Sequence, residues 1–294
     1  MPETAIILLR LVQYGAASIL FGTSLFLLYA LPRTGAVSPA GLAWPRPLVV
    51  AAAIVLLVAT VVGLVAQTAI MAGSVTAALA PASLEAVVTG MDLGKSAAVR
   101  AAAAGGAALV FVLPIPATAR WSLVAGLGAV ASASFAWMGH GAATEGPGGL
   151  VHLLSDIVHS WAAAAWIGAL CAFLLLLAPR KKSAEGLRDT HRALRRFTGV
   201  GTILVGALVG TGLLNSWFLV GPENVQRLLT TRYGVLLALK LGLFAGMLIL
   251  ASANRFRLTP RLGEALEGAD SGSSSVDALR RSIVFETMLG SAVL

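Results

Sequence analysis

The sequence predicts an all-α, polytopic integral membrane bundle of about eight transmembrane helices, and three observations support that prediction. Of the 294 residues, 57% are hydrophobic, and the mean hydropathy is +0.87. Charged residues make up 12% of the chain, about half of their usual share in soluble proteins. The apolar residues fall in long runs separated by short, charged connections, the pattern of transmembrane helices. The net charge of +8 therefore does not indicate nucleic-acid binding, because the basic residues concentrate in those connections.

Eight apolar segments follow one another, and most reach the about 20 residues needed to cross a bilayer. The third is short and bounded by Arg100 and Pro114, so we expect it to be little tilted or partly re-entrant. The last has about 13 residues, too few to span, which indicates that the natural chain continues beyond Leu294. We predict the segments at 5–31, 48–72, 97–113, 121–138, 150–178, 198–220, 233–252 and 282–294.

The charges of the connections predict the orientation. The connections after the fifth and seventh segments carry most of the Lys and Arg residues, and such connections stay in the cytoplasm. Alternation of the spans leaves few basic residues outside, namely Lys95, Arg100, Arg227 and Arg232. The N-terminus is therefore predicted outside, and the connection from Met138 to Asp156 faces outward. Residues 262–278 are rich in Gly, Ser, Asp and Glu, which predicts a flexible cytoplasmic linker within one membrane domain, 1–294.

Histidines cluster near the outer ends of the fourth and fifth segments, where three of the four lie within twenty residues: His140, His152 and His159. His152, Asp156 and His159 are spaced i, i+4 and i+7, which puts them on one face of a helix that we expect to begin near residue 149. Met138 and His140 end the fourth segment, and a short loop returns the chain toward that face. Imidazole suits copper, zinc, iron or nickel, and a thioether favours Cu(I). Asp156 either ligates or orients an imidazole; histidines bonded to water or backbone at the membrane interface are the alternative.

Several polar side chains are predicted inside or beside the later spans. Lys240 is about 7 residues into the seventh segment, so about 10 Å deep at 1.5 Å per residue. A charge at that depth faces a partner or a wet cavity. We predict that a set of polar residues lines a transport path or holds the helices together: Asn215, Tyr233, Lys240, Asn254 and Glu286.

Motifs of other functions are absent from the sequence. There is no phosphate-binding glycine loop, no Cys-x-x-Cys pair and no nucleophile elbow, so neither an ATP-driven pump nor an enzyme is predicted. The single cysteine, Cys171, lies in an apolar run and cannot form an intramolecular disulfide.

Several short motifs occur together along 137–260. They are Trp137-Met138-Gly139-His140, His152-Leu-Leu-Ser-Asp156-Ile-Val-His159, Thr211-Gly212-x-x-Asn215, Tyr233-Gly234 with Lys240, and Asn254-Arg255-x-x-Leu258-x-Pro260. In combination they resemble the copper resistance protein D family. The likeness runs from about the second segment to the end of the chain, where Arg281-x-x-x-x-Glu286 also fits.

The resemblance implies an eight-helix protein of the bacterial plasma membrane that is linked to copper tolerance. The family's histidines map onto His140 and His159, and more loosely onto His152. It also implies a separate copper donor on the outer side, of the copper resistance protein C type, because no β-sandwich domain is fused here. We predict that the three histidines capture a copper ion at the outer face, assisted by Met138 and Asp156, and pass it toward the cytoplasm. Capture requires neutral imidazole, so binding weakens as the pH falls through about 6.5.

Two other functions fit the same residues. A b-type haem electron-transfer protein would use His140 and His159 as axial ligands. A non-transporting partner or sensor subunit would bind copper, or nothing, and regulate another membrane protein. Under the transport hypothesis, onward passage uses softer or polar groups deeper in the bundle, for which the candidates are Asn215, Met247 and Cys171.

Overall fold

The computed structural model describes residues 2–35, 37–138, 146, 148–178, 184–221, 230–268 and 273–294. These residues form helices and connections, with no β-strand among them. Among the residues that the structure describes, seven helical stretches are long and apolar enough to cross a membrane, which confirms the predicted polytopic helical bundle with one candidate span fewer than the eight expected. They are Thr4–Tyr29, Pro45–Ala72, Asp92–Val112, Ala117–Met138, Gly149–Leu176, Glu185–Val220 and Arg232–Glu267.

The described chain contains twelve α-helices, several of which continue into each other through short π or 3₁₀ turns. In order they are α1 (Pro2–Ser18), α2 (Ser24–Tyr29), α3 (Pro45–Ala72), α4 (Val75–Ala78), α5 (Pro81–Gly90), α6 (Asp92–Leu109), α7 (Ala117–Ala133), α8 (Gly149–Leu176), α9 (Ala184–Val220), α10 (Arg232–Ala253), α11 (Thr259–Glu267) and α12 (Ser273–Val293). A π turn, Ile19–Thr23, joins α1 to α2, and a second one, Asn254–Leu258, joins α10 to α11. The 3₁₀ turns Val110–Val112 and Ser134–Met138 extend α6 and α7.

Three expectations about the elements need correction. The third span is not short, because its helix begins at Asp92 and reaches Val112; the apolar run underestimated it by missing a polar first turn. Most of the expected linker 262–278 is helical, since α11 occupies its start and α12 begins at Ser273. Helix α12 has 21 residues, so the segment 282–294 is only its apolar portion. The short helices α4 and α5 were not predicted.

Helix α8 lies at the centre of the bundle, where it packs against α7, α9, α12 and the first π turn. The backbones approach most closely at Gly22 and Gly168. A Cβ on Gly22 would overlap the carbonyl of Ala164, and a Cβ on Gly168 would overlap the backbone of Gly22. The hydroxyl of Thr23 donates to the carbonyl of Gly168 at 3.1 Å. Small residues therefore let α8 sit against the first span, which fixes the helix that carries His152, Asp156 and His159.

Helices α9 and α10 lie at the periphery. In each of these spans 11% of an apolar 18-residue stretch is buried within the protein, against 33–50% in the other five spans. Helix α9 packs along α8 and α10 packs along α12, while over their described residues α9 and α10 do not pack along each other. We call the space between α9 and α10 the cleft; at its inner end it is a cavity whose walls include Trp166, Leu170 and Phe173 of α8. Its inner end is bridged by Arg255, whose guanidinium donates to the hydroxyl of Thr202 at 2.7 Å.

Candidate metal site in the outer half of the bundle

Helix α8 begins at Gly149, as the histidine spacing required. His152, Asp156 and His159 consequently lie on one face of the helix, and that face is directed at α9. The words outer and inner below follow the orientation predicted from the loop charges.

Each of the three α8 residues meets its own partner on α9. The ring of His152 stacks on Phe218, with centroids 4.8 Å apart and an interplanar angle of 10°. Oδ1 of Asp156 accepts a 2.7 Å hydrogen bond from Nδ2 of Asn215. Nδ1 of His159 lies 2.9 Å from Oγ1 of Thr211. We call this antiparallel series of contacts the α8–α9 ladder.

The hydrogen bonds of Thr211 favour one tautomer of His159. The Thr211 hydroxyl donates its single proton to the carbonyl of Ala207 in its own helix. Its oxygen is then an acceptor for His159, so Nδ1 carries the ring proton and donates. Nε2 is consequently the nitrogen with a free lone pair in the neutral ring. A histidine held in this way is prepared to ligate a metal through Nε2.

His152 and His159 occupy different levels of the ladder. They are seven residues apart, which corresponds to about 10 Å along the helix axis at 1.5 Å per residue. His152 is 1% exposed and its ring stacks on Phe218, whereas the ring of His159 is oriented by Thr211. The two predicted ligands thus share a face of α8 but lie at different depths.

Lys240 of α10 reaches toward the same level from across the cleft. It interacts electrostatically with both Asp156 and His159, although its side chain is exposed at the bundle surface. Because a charge is expensive toward lipid and both residues belong to α8, we expect the ammonium to lie on the cleft side of α10. At the depth predicted for it, Lys240 therefore lies near a group of polar side chains that includes the carboxylate of Asp156.

The remaining predicted ligands are His140 and Met138. His140 lies outside the described residues. The sulfur of Met138 accepts a hydrogen bond of 2.9 Å from Nη2 of Arg100. The described part of the chain contains no group of three or more His, Cys, Asp and Glu side chains that could hold a metal ion. The capture of one ion by three histidines therefore stays a prediction.

Arg100 was expected at the outer surface, but it is 1% exposed. Its guanidinium donates from Nε to the hydroxyl of Ser134 at 3.0 Å and from Nη1 to Oε1 of Gln13 at 3.0 Å. It also lies 3.9 Å from the centroid of Phe135. Sequence reasoning missed this cluster because it counted Arg100, near the start of the third segment, among the basic residues at the outer surface; the signal was an arginine and a glutamine within two apolar segments.

A second polar group lies further along α8, toward the inner end. Trp166 follows His159 by seven residues on the same face, and its Nε1 donates to Oε1 of Glu286 at 2.7 Å. Oε2 of Glu286 accepts from Nδ2 of Asn254 at 2.8 Å. Glu286 and Asn254 line a cavity of about 330 Å³ at the inner end of the cleft. The structure thus brings these two predicted polar residues together, whereas Tyr233 is 46% exposed on the first turn of α10.

The fold defines a multi-pass membrane protein whose central helix α8 carries two groups of polar side chains, one in its outer half and one toward its inner end. Residues 1–150 match the family described as copper resistance protein D-like, N-terminal domain, and residues 191–294 match the family described as copper resistance protein D. The chain belongs to the copper resistance protein D family. The likeness begins at the first helix, not at the second as the motifs indicated.

Three relatives agree with that assignment. The copper resistance protein D of Pseudomonas syringae pv. tomato is 38% identical over 301 aligned residues, which cover all of this chain and 94% of the relative. The copper transport protein CutJ of Bacillus subtilis (strain 168) is 33% identical over 42% of this chain and 22% of its own length. The inner membrane protein YebZ of Escherichia coli (strain K12) is 33% identical over 43% of this chain and 42% of its own length. No solved structure matches the chain. The chain is thus a multi-pass protein of the bacterial inner membrane.

Proposed function

We propose that this protein binds copper at the outer face of the inner membrane and moves it toward the cytoplasm. The observation that carries the proposal is the hydrogen bond between His159 and Thr211, which leaves Nε2 of His159 available beside the carboxylate of Asp156. Membership of the copper resistance protein D family supports copper as the cargo.

Capture uses the α8–α9 ladder. His159 supplies an imidazole nitrogen of the kind that copper prefers, and Asp156 supplies negative charge or a ligand oxygen. Thr211 and Asn215 act behind them by fixing the orientation of the ring and of the carboxylate. His140, at the end of the fourth span, completes the donor set with Met138 as an auxiliary thioether, and His152, about 10 Å further out along α8, receives the ion before His159 does.

Lys240 provides the counter-charge of Asp156 when no copper is bound. A copper ion beside Asp156 replaces that compensation, so binding is expected to displace the ammonium of Lys240 along the cleft. This exchange keeps the net charge of the outer group nearly constant, which lowers the desolvation penalty of bringing a cation into the membrane.

Onward movement follows the cleft between α9 and α10. Trp166 follows His159 by seven residues, about 10 Å along α8. Its indole N–H donates to Glu286, and both residues line the inner cavity. The carboxylate of Glu286 and the amide of Asn254 offer oxygen atoms there. Met247, which is 5% exposed on α10, and Cys171 on α8 are the soft groups along this part of the bundle.

Delivery from outside is proposed to involve a separate extracytoplasmic donor of the copper resistance protein C type. The ladder begins in the first turn of α8, at His152, so an ion handed over at the outer rim has a short path to His159. A docked donor would transfer copper by ligand exchange without release into water.

The test compares copper content in cells that make equal amounts of wild-type protein, His159→Ala or His191→Ala. His191 lies in the basic inner part of α9 and is the matched control. We expect wild type and His191→Ala to raise cell-associated copper severalfold over an empty vector, and His159→Ala to lose most of that rise. Equal copper content with His159→Ala and with wild type would contradict transport through this site.

Metal analysis of the purified protein separates the alternatives. Stoichiometric copper that is lost in His159→Ala supports capture at the ladder. Copper binding without accumulation in cells would support a partner or sensor subunit instead. A strong Soret band with little copper would support the haem alternative.

A further inference from the structure

The inner cavity of the cleft is bounded by the helices α8, α9, α10 and α12. Its volume is about 330 Å³, within the range of about 300–1,000 Å³ that small-molecule pockets have. Most of its walls are apolar, and they include Leu170, Phe173, Phe197, Leu248 and Ile283. Because α9 and α10 do not pack along each other over their described residues, the cavity is open toward the bilayer through the space between them.

The acidic residue in the walls does not make this cavity hydrophilic. Glu286 is 2% exposed, and its two carboxyl oxygens accept hydrogen bonds from Trp166 and Asn254. Its carboxyl group is therefore directed at those two donors. A flexible hydrocarbon chain fits the apolar walls that remain, because it buries apolar surface without leaving polar groups unpaired.

A positive charge lies at the mouth of the cavity. Arg255, in the second π turn, lines the cavity and is exposed at the bundle surface. One of its N–H groups donates to the hydroxyl of Thr202 at 2.7 Å, and a guanidinium has several more to offer. Among the described residues, no carboxylate lies within ion-pair distance of Arg255. It is therefore able to bind an anionic group from outside the protein while it keeps its contact with Thr202.

The depth of Arg255 corresponds to the headgroups of the inner leaflet, in the orientation predicted from the loop charges. It follows the predicted span 233–252 by three residues. On α9, the exposed Arg195 lies on the same face as Thr202, seven residues and about 10 Å closer to the inner end of the helix. Basic pockets between transmembrane helices on the cytoplasmic side are typical binding sites for the headgroups of anionic lipids.

We propose that the inner cavity binds one anionic phospholipid of the inner leaflet, with its phosphate at Arg255 and one acyl chain between α9 and α10. The apolar walls bind the chain, and Arg255 supplies the counter-charge of the phosphate. The bound lipid fills the gap between the two peripheral helices and stabilises their arrangement. The inference does not depend on the proposed copper function, because neither His159 nor Asp156 takes part in it.

Native mass spectrometry of the full-length protein in detergent tests the proposal. Protein freed of co-purified lipid is titrated with dioleoyl phosphatidylglycerol or with dioleoyl phosphatidylethanolamine, which have identical chains, although only the first carries a net negative charge. We expect one phosphatidylglycerol molecule per chain to bind about 5-fold more tightly than phosphatidylethanolamine, the effect of about one basic side chain on an anionic lipid. Equal affinities for the two lipids would overturn the proposal.

A pair of arginine variants locates the headgroup. Arg255→Gln is expected to abolish the preference for phosphatidylglycerol, because it removes the charge and keeps an amide that can donate to Thr202. Arg257→Gln is the matched control, since Arg257 is exposed in the same π turn and is not among the walls of the cavity. The control is expected to keep the preference. An unchanged preference in a folded Arg255→Gln variant, or an equal loss in both variants, contradicts the assignment.

Variants that fill the cavity locate the acyl chain. Val205→Trp on α9 and Ala251→Phe on α10 enlarge side chains in the walls without changing the charge, and both are expected to lose most of the lipid binding. Ile203→Trp, at a position that is 72% exposed on α9, is expected to retain it. Soluble glycerol phosphate, which has no chain, is expected not to displace the lipid. If one filled variant fails to fold, the other decides; full lipid binding in a folded filled variant, or displacement by glycerol phosphate, contradicts a chain in the cavity.

Discussion

The indole Nε1 of Trp166 on α8 and Oε1 of Glu286 on α12 are 2.7 Å apart, although 120 residues separate them in sequence. Both side chains are 2% exposed. The second carboxyl oxygen of Glu286 accepts from Asn254. Both oxygens of a buried carboxyl group are therefore satisfied, and this pairing joins the site-bearing helix to the last helix.

Trp166→Phe is expected to lower the free energy of unfolding by about 1–3 kcal/mol, because phenylalanine keeps a ring but leaves Oε1 without a donor. Unfolding of the purified protein in detergent measures the loss. Trp217→Phe is the matched control, since Trp217 is 63% exposed on α9, and its substitution is expected to change stability little. Equal losses in the two variants would show that the hydrogen bond is unimportant.

Gly22→Ala is expected to prevent correct packing or to destabilise the protein by more than about 3 kcal/mol, because the added methyl group overlaps the backbone of α8 at Ala164. Gly15→Ala, on α1, is the control. Nothing lies within 4 Å of its Cβ position, so a gain of about 0.5–1 kcal/mol is expected from helix propensity. Yield and unfolding temperature of the two purified variants give the comparison. A well-folded Gly22→Ala variant would contradict the close helix contact.

Thr211→Val is expected to weaken copper binding by about 10-fold, because the methyl group cannot accept the proton on Nδ1 of His159 and the ring loses its fixed tautomer. Copper affinity of the purified protein, measured by competition with a chelator, checks this. Thr68→Val on α3 removes a buried hydroxyl that bonds only within its own helix, and it should leave the affinity unchanged. A Thr211→Val variant with wild-type affinity would remove His159 from the proposed site.

Lys240→Met is expected to tighten copper binding by about 10-fold, because it removes a positive charge that competes with the ion for Asp156. The same competition assay applies. Lys95→Met is the control, since Lys95 forms an exposed pair with Asp92 at 3.4 Å near the start of α6. Weaker binding in Lys240→Met would mean that the ammonium supports the site rather than opposing the cation.

The arrangement of the site on α8 could be predicted from the sequence because it depends on helical periodicity alone. A helix that begins at Gly149 must place His152, Asp156 and His159 on one face. The partners on α9 could not be assigned, because a periodic pattern does not specify which neighbouring helix a face meets. The tautomer of His159, which depends on Thr211, follows only from that packing.

Two errors share one physical origin. Hydropathy marks the part of a helix that lies in hydrocarbon, so it missed the polar turns at the start of α6 and α12. The count of loop charges likewise put Arg100 at the outer surface, although Gln13, Ser134 and the ring of Phe135 surround that arginine inside the bundle. Side chains from distant segments stabilise a buried charge, and the local hydropathy pattern gives no information about which segments those are.

Helix α9 packs on α8 and helix α10 packs on α12, and these two pairs meet where α8 contacts α12, beside the cleft. A sliding or tilting of the α10–α12 pair would leave every rung between α8 and α9 intact, while it would stretch the Trp166–Glu286 and Arg255–Thr202 bonds. Those two hydrogen bonds therefore help to hold the two helix pairs together. A copper ion bound to residues of α8 would keep its ligands during such a movement, while the opposite wall of the cleft changes position.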